Sequence, residues 1–423
     1  MSEVVSLQRT ASDPRGGTIV VTVDGNGLLV TVQFPVVPGD RVADSLLAQL
    51  DGDGIFTFSY RVRLYPHVRL SNELAKAIEH LYTAFGGMFQ HKNPSFGAVE
   101  ATDAERLREG VRPLVVLGKD LYTRLFHLTT NHHVLIDVDP KYIPPYRHLL
   151  QRWLSDTPEI QIVAPRHLIP WTIICTPNSD LDAPMVVNSA WGLCKSVQVL
   201  DSSLAQGLRL AGPWSLIAAI EQDDPSILVG SEVHHANEHP FAQVQDFVAR
   251  PRDPKRMFQL LADADVLYHF GHASSSAHGH EFGRIKLGKE DVSALTLSSW
   301  YELNELDRPG RPPILVFLNA CSTAVEAGDD ESIPSILVKY GHRIFYFVTT
   351  LGSVPAWPAA MFAEAFFRAF LPRDPSVPSV SLGESILQAR RALLTTYGNP
   401  IGLLYAAYGR LATTIDPTKD TNQ

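Results

Sequence analysis

The chain has 423 residues, of which 45% are hydrophobic, so it is long enough to form two or three domain-sized units with apolar cores. Its formal net charge of −9 argues against direct binding to nucleic acid or to an anionic membrane. Three cysteines are too few for a disulfide scaffold or a zinc cluster, and the start Met1-Ser2-Glu3 does not resemble a secretion signal. We therefore expect a cytoplasmic protein with no membrane association and no cofactor.

The first hundred residues are rich in β-type patterns. Segments 18–23 and 28–34 flank Asp24-Gly25-Asn26-Gly27, which predicts a hairpin, and segment 55–64 predicts a further strand. Apolar residues at helical spacing over 71–85 predict an amphipathic helix that ends at Gly86-Gly87. We interpret residues 1–105 as a β-rich N-terminal extension closed by this helix.

Strands and helices alternate through the rest of the chain. Predicted helices at 118–126 and 146–153 and a strand at 160–163 indicate a first α/β lobe over 106–210. Further strands at 215–220, 266–270, 314–318, 344–349 and 403–411, separated by helical patterns, indicate an α/β domain over 211–423. This alternation predicts a mostly parallel sheet with helices on both faces.

Two apolar segments of this last domain end in residues with reactive side chains. Val266–Phe270 runs into Gly271-His272, and Ile314–Leu318 runs into Asn319-Ala320-Cys321. Continuous apolar segments of five residues are typical of central parallel strands, and ligand sites lie at the carboxyl ends of such strands. A histidine near a cysteine at that edge can generate the nucleophilic thiolate.

The two motifs resemble those of the CHAT family, caspase-like cysteine peptidases related to separase and caspases. The histidine precedes the cysteine by 49 positions, close to the spacing of about 50 seen in caspases. The resemblance implies a caspase-like fold, a pseudo-caspase-like first lobe, and a catalytic domain at 211–423. It also implies that His272 is the general base and acid, that Cys321 is the nucleophile, and that the N–H groups of Ala273 and Cys321 bind the oxyanion. The family usually has glycine where this chain has Ala273.

Substrate-binding residues are predicted at six positions. Some Arg- or Lys-cleaving relatives carry an acid two residues before the cysteine, a place taken here by Asn319, so this residue indicates no basic preference. The acidic segment after the cysteine could line a pocket for a basic side chain or simply be solvated, and the aromatic residue further on could form a substrate wall or belong to the core. The six candidates are Asn319, Glu326, Asp329, Asp330, Ser353 and Trp357.

A metal site is the alternative chemistry for the histidine-rich segment. The residues available to it are His269, His272, His278, His280 and Cys321, but the spacing matches neither Cys-x-x-Cys nor His-Glu-x-x-His. His269 lies inside an apolar strand and is better interpreted as a core residue or as a residue that supports the site.

The sequence therefore favours a cysteine endopeptidase that hydrolyses protein substrates through a thioester intermediate. The resemblance further implies regulation by a partner protein or ligand and a role in bacterial antiviral defence or signalling. The alternatives are a non-catalytic adaptor that uses the fold to bind partner proteins, and a latent protease that requires an activator.

Overall fold

A computed structural model provides the three-dimensional structure of the chain. It describes residues 17–24, 27–35, 55–62, 67–85, 101–129, 133–136, 142–164, 169–176, 190–200, 210–211, 216–221, 232–241, 247–249, 251–262, 264–271, 273–274, 284–306, 315–320, 333–340, 346–371, 380–409 and 415–416. The chain divides into two compact units, one formed by 1–64 with 124–163 and the other by 65–123 with 164–423. The three-part division predicted at 105 and 210 stays a prediction.

Helices and strands alternate along most of the described chain. The helices are α1 (His67–Phe85), α2 (Ala101–Phe126), α3 (Ile143–Asp156), α4 (Trp191–Cys194), α5 (Glu232–Glu238), α6 (Pro254–Leu260), α7 (Ala294–Glu302), α8 (Ile333–Lys339), α9 (Ala356–Phe370) and α10 (Leu382–Tyr397). The strands are β1 (Gly17–Asp24), β2 (Gly27–Pro35), β3 (Ile55–Val62), β4 (His133–Leu135), β5 (Glu159–Val163), β6 (Ser196–Leu200), β7 (Leu210–Ala211), β8 (Leu216–Ile220), β9 (Phe247–Ala249), β10 (Val266–Phe270), β11 (Ala273–Ser274), β12 (Arg284–Leu287), β13 (Glu290–Ser293), β14 (Leu315–Asn319), β15 (Tyr346–Thr350), β16 (Tyr405–Gly409) and β17 (Ile415–Asp416).

The first unit is a mixed sheet with α3 packed on it. Its strands follow the order β4-β3-β2-β1-β5, and all neighbours are antiparallel except β1 and β5. The β1–β2 pair confirms the predicted hairpin. Trp153 of α3 stacks on Phe34 with ring centroids 5.0 Å apart, and Tyr146 meets Phe56 edge-on at 4.8 Å. Alternating buried positions along β2 and β3 supply the apolar face that this helix covers.

The second unit contains the mostly parallel sheet that the sequence predicts. Its order is β6-β16-β15-β14-β10-β8-β9, and among these described neighbours only β15 and β16 run antiparallel. Every residue of β8, β10, β14, β15 and β16 is buried, which shows that these strands are covered on both faces. The α/β fold class is thus confirmed.

Aromatic packing holds α9 on one face of this sheet. Phe317 of β14 meets Phe366 of α9 edge-on at 5.4 Å and Tyr268 of β10 at 5.3 Å. Phe362 of α9 stacks on Tyr405 of β16 at 3.7 Å. These ring contacts pack α9 against the central strands and so stabilise this part of the core.

The structure differs from the sequence prediction in three places. The helix predicted at 118–126 is the C-terminal part of α2, which begins at Ala101 and continues through Pro113. The strand predicted at 403–411 begins as a 3-10 helix, Pro400–Leu404, because the Asn399 side chain accepts a hydrogen bond from the Ile401 N–H at 3.0 Å. The sequence pattern did not indicate α7, whose start is capped by the Ser293 hydroxyl.

None of the described helices is long and apolar enough to cross a membrane.

Candidate active site

Three parallel strands of the second unit end at the same level. Phe270 of β10 lies opposite Asn319 of β14, and opposite Ile220 of β8 on its other side. The Gly271 N–H donates to the Asn319 carbonyl at 3.4 Å, and the Glu221 N–H donates to the Phe270 carbonyl at 2.7 Å. These strand ends form one edge of a continuous, in-register part of the sheet, and ligand crevices of α/β folds are found at such edges.

The two predicted catalytic residues, His272 and Cys321, lie outside the described residues. The acidic candidates Glu326, Asp329 and Asp330 lie outside them as well. The roles assigned to all five stay predictions, and the described neighbours on either side provide the geometry of the edge.

Close packing around Gly271 constrains the chain just before position 272. A β-carbon at Gly271 would lie 3.0 Å from the Lys286 carbonyl oxygen, 3.1 Å from Glu221 Cβ and 3.1 Å from His269 Cε1. Glycine is the residue that permits this close approach. Just after position 272, Ala273 enters β11 opposite Ile285 of β12. The backbone is therefore packed against β12 on both sides of that position.

The side chain of Asn319 points into the protein and is only 2% exposed. Its amide nitrogen donates to the Ala359 carbonyl at 2.9 Å and to the Tyr268 hydroxyl at 3.2 Å. Its oxygen accepts from the Tyr405 hydroxyl at 2.7 Å. These bonds tie the end of β14 to β10, α9 and β16, so they anchor the segment that leads to Cys321. The predicted contact of Asn319 with substrate stays a prediction.

The segment after β15 lies beside the end of β14. Thr350 donates its hydroxyl to the Ala320 carbonyl at 2.5 Å, directly before position 321. A few residues on, Ser353 is exposed, and half-buried Trp357 meets the Tyr397 ring edge-on at 4.9 Å. Of these two candidates for substrate contact, Ser353 therefore lies on the turn with its side chain exposed, and Trp357 lies in the first turn of α9 with a partly accessible indole.

A buried carboxylate at this edge was missed by the sequence reasoning. Glu221 follows β8 directly and is 1% exposed. Its Oε2 accepts a hydrogen bond from the Gly288 N–H at 2.9 Å, in the turn between β12 and β13. A charged residue placed immediately after an all-apolar strand is the signal that could have identified it.

Two described cysteines lack the surroundings of a nucleophile. Cys175 is buried and its thiol donates to the Ile173 carbonyl at 3.2 Å. Cys194 is exposed at the residue level, yet burial of its sulfur raises the thiol pKa, against a smaller opposing effect of Lys195 and Arg391. A raised pKa leaves little thiolate at neutral pH.

The described part of the chain offers no metal site. It contains no group of three His, Cys, Asp or Glu side chains placed to hold an ion. His269 is fully buried, and its Nδ1 lies 3.1 Å from the Ala219 carbonyl oxygen, which agrees with its interpretation as a core residue. The other members of the zinc alternative, His272, His278, His280 and Cys321, lie outside the described residues.

The CHAT domain family matches residues 155–399, more than half of the chain. The chain belongs to the CHAT domain family. The match includes β8, β10 and β14, whose carboxyl ends form the edge described above, and it confirms the family that the sequence motifs resemble. No curated protein sequence matches this CHAT protein.

Solved structures that are similar to this chain include a separase complex and gingipain structures. The separase–securin complex of Saccharomyces cerevisiae is similar with a TM-score of 0.48 and 12% identity, over 95% of this chain. The CHAT protein spans about 30% of the length of that separase chain. The Arg-specific cysteine proteinase gingipain R is similar with a TM-score of 0.42 and 10% identity, over 74% of this chain and 70% of its own. A complex of the pro- and mature domains of Porphyromonas gingivalis RgpB gives the same TM-score and identity, over 74% and 72%.

Proposed function

We propose that this CHAT protein is a cysteine endopeptidase in which Cys321 attacks the scissile carbonyl and His272 transfers the protons. The observation that carries the proposal is the register of β10 and β14, which sets Phe270 opposite Asn319. Position 272 follows two residues after the first of these, and position 321 two residues after the second. This connectivity supports a site in which His272 and Cys321 act together at the ends of neighbouring strands.

The chemistry follows from the reactivity of the two groups. His272 takes the thiol proton, and the Cys321 thiolate attacks the carbonyl carbon to form a tetrahedral oxyanion. The N–H groups of Ala273 and Cys321 are the proposed donors to that oxyanion. His272 then protonates the leaving amine, and water hydrolyses the thioester with His272 again as base. An alanine at 273 keeps the N–H donor that a glycine would provide.

Substrate contacts are proposed along the turn after β15. Ser353 and Trp357 lie on that turn and its following helix, which the Thr350 hydroxyl links to the end of β14. Asn319 is proposed to contribute to substrate binding from its buried position at the end of β14. Glu326, Asp329 and Asp330 are proposed to contact substrate from the segment after the cysteine. Regulation by a partner or ligand, and a role in bacterial defence or signalling, are further parts of this proposal.

Cleavage of a denatured protein or of a peptide library tests the function. We expect hydrolysis by the unmodified chain and a loss of at least about 10³-fold for Cys321→Ala and for His272→Ala, because each removes a group that takes part in every step. The matched controls are Cys194→Ala and His235→Ala, which remove a thiol and an exposed imidazole elsewhere in the chain. Equal cleavage by the unmodified chain, Cys321→Ala and His272→Ala would contradict the proposal.

Thiol alkylation separates the peptidase from the non-catalytic adaptor. Near neutral pH we expect iodoacetamide to label Cys321 faster than Cys175 or Cys194, and His272→Ala to slow that labelling, because the imidazole supports the thiolate. An adaptor predicts no such difference. A latent protease predicts fast labelling without cleavage until an activator is added.

A further inference from the structure

A carboxylate without a role in the proposed chemistry lies at the edge of the sheet. Glu221 is 1% exposed, whereas acidic side chains are almost never fully buried unless they are bonded. One of its oxygens, Oε2, accepts from the Gly288 N–H at 2.9 Å. A carboxylate has acceptor positions on both of its oxygens and can therefore bind more than one donor at once.

The position of Glu221 relates it to the histidine motif. Ile220 lies opposite Phe270, and the next residues on the two strands, Glu221 and Gly271, are in close contact. A β-carbon on Gly271 would lie 3.1 Å from Glu221 Cβ. The residue that follows Gly271 is His272. The buried carboxylate thus lies beside Gly271, the residue that directly precedes the proposed acid–base group in the chain.

We propose that Glu221 is the positioning residue of His272: its carboxylate accepts a hydrogen bond from the imidazole, orients the ring and stabilises its protonated form. The pair of Cys321 and His272 would then have a third, acidic member. This inference rests on the proposed function in assigning His272 as the acid–base group. Gly271 makes the arrangement possible, since a β-carbon there would press on Glu221 Cβ and on the Lys286 carbonyl.

The described charged groups on the β12–β13 hairpin are exposed, except Arg284, which is half-buried. On β10 the nearest titratable group is His269, which is buried and has its Nδ1 at the Ala219 carbonyl. The side chains of Lys286, Lys289 and Glu290 on the β12–β13 hairpin are exposed, and so is that of Arg252, whose carbonyl approaches Gly288. Solvent and salt screen exposed charges, so the buried carboxylate is the stronger local influence among these described groups.

The test is a titration of His272 by NMR on the full chain with carbon-13 at histidine Cε1. The Cys321→Ala background removes any thiolate, and the signal missing from His272→Ala identifies the ring. We expect the pKa of His272 to lie about one unit above its ordinary value of about 6.5, and Glu221→Gln to return it to that range. Glutamine can still accept from the Gly288 N–H, so a purely structural role of Glu221 predicts no change. The matched control is Glu290→Gln, which removes an exposed carboxylate nearby and is expected to leave the titration unchanged.

The outcomes separate this inference from the proposed function. A lowered pKa in Glu221→Gln supports the positioning role, and it does so even if the unmodified chain cleaves no substrate, in which case only the peptidase proposal fails. An unchanged pKa overturns the positioning role whether or not the chain cleaves. If Glu221→Gln does not fold, the titration in Cys321→Ala alone decides, because a His272 pKa at or below 6.5 overturns the inference. In an active enzyme we expect Glu221→Gln to lower kcat about tenfold with little change in KM.

Discussion

Asn319 shows how a residue close to the proposed nucleophile can stabilise the core. It stands two residues before Cys321. Here the amide donates to the Ala359 carbonyl and accepts from the Tyr405 hydroxyl. A carboxylate at this position could keep the bond from Tyr405 but would face the Ala359 carbonyl oxygen without a proton to donate. The geometry therefore favours asparagine for a reason of hydrogen bonding that is separate from substrate choice.

The energetic weight of this anchor is measurable. We expect Asn319→Leu to lower the free energy of unfolding by about 3 kcal/mol, because it removes three buried hydrogen bonds and leaves their partners unsatisfied. Tyr405→Phe removes one of the bonds and should cost about 1 kcal/mol. Urea unfolding of both single variants and of the double variant measures the coupling between them. Strictly additive effects would contradict the bond between the two side chains.

At the scale of the element, the start of α6 affects the strand that carries the histidine motif. The Asp253 carboxylate accepts from the Arg256 N–H at 2.7 Å, and Pro254 occupies the first turn. The sequence pair Asp253-Pro254 is typical of a helix start. Only a few residues separate the end of α6 from Val266, so α6 leads directly into β10.

Loss of the Asp253 cap should destabilise α6. We expect Asp253→Ala to lower the free energy of unfolding by about 1 kcal/mol, since an N–H of the first turn loses its acceptor. Asp253→Asn is the matched variant, because its side-chain oxygen can still accept that bond. Urea unfolding compares the two. A similar loss in both variants would show that the charge, and not the capping bond, stabilises the helix.

At the scale of the whole molecule, the sheet edge depends on chain segments well outside 211–423. A β-carbon on Gly352, in the turn after β15, would lie 2.6 Å from Ile78 Cδ1 of α1. In β6, Val199 pairs with Tyr408 of β16. Arg390 of α10 is buried and donates to the carbonyls of Gly192 and Tyr405 at 3.2 and 2.7 Å. Residues from 65–123 and 164–200 therefore complete the core around the central strands of the second unit.

This dependence predicts the behaviour of a fragment. We expect residues 211–423 alone to lack cooperative unfolding and to aggregate, because removal of α1, α4 and β6 exposes the apolar surfaces that they cover. Near-ultraviolet circular dichroism and urea unfolding, with the full chain as the reference, measure this. A fragment that unfolds cooperatively would contradict the expectation and would support the predicted boundary at 210.

Local patterns in the sequence were sufficient for the type and order of most elements. The Asp24–Gly27 turn, the capped start at Asp253 and the apolar segments before Gly271 and Asn319 each depend on neighbours in the chain, so each could be predicted. The family resemblance rested on two such local motifs. Such patterns depend only on residues that are close in the sequence, so they can be recognised without knowledge of the rest of the fold.

Only the tertiary structure decided which strands are neighbours and which way their polar side chains point. β10 and β14 are joined by more than forty residues, yet their pairing sets Phe270 against Asn319. The inward amide of Asn319 and the burial of Glu221 follow from contacts with α9, β16 and the β12–β13 turn, all distant in sequence. The physical reason is that an apolar pattern specifies only that a strand is buried. Which strands pair, and in which register, depends on contacts between residues that are distant in sequence.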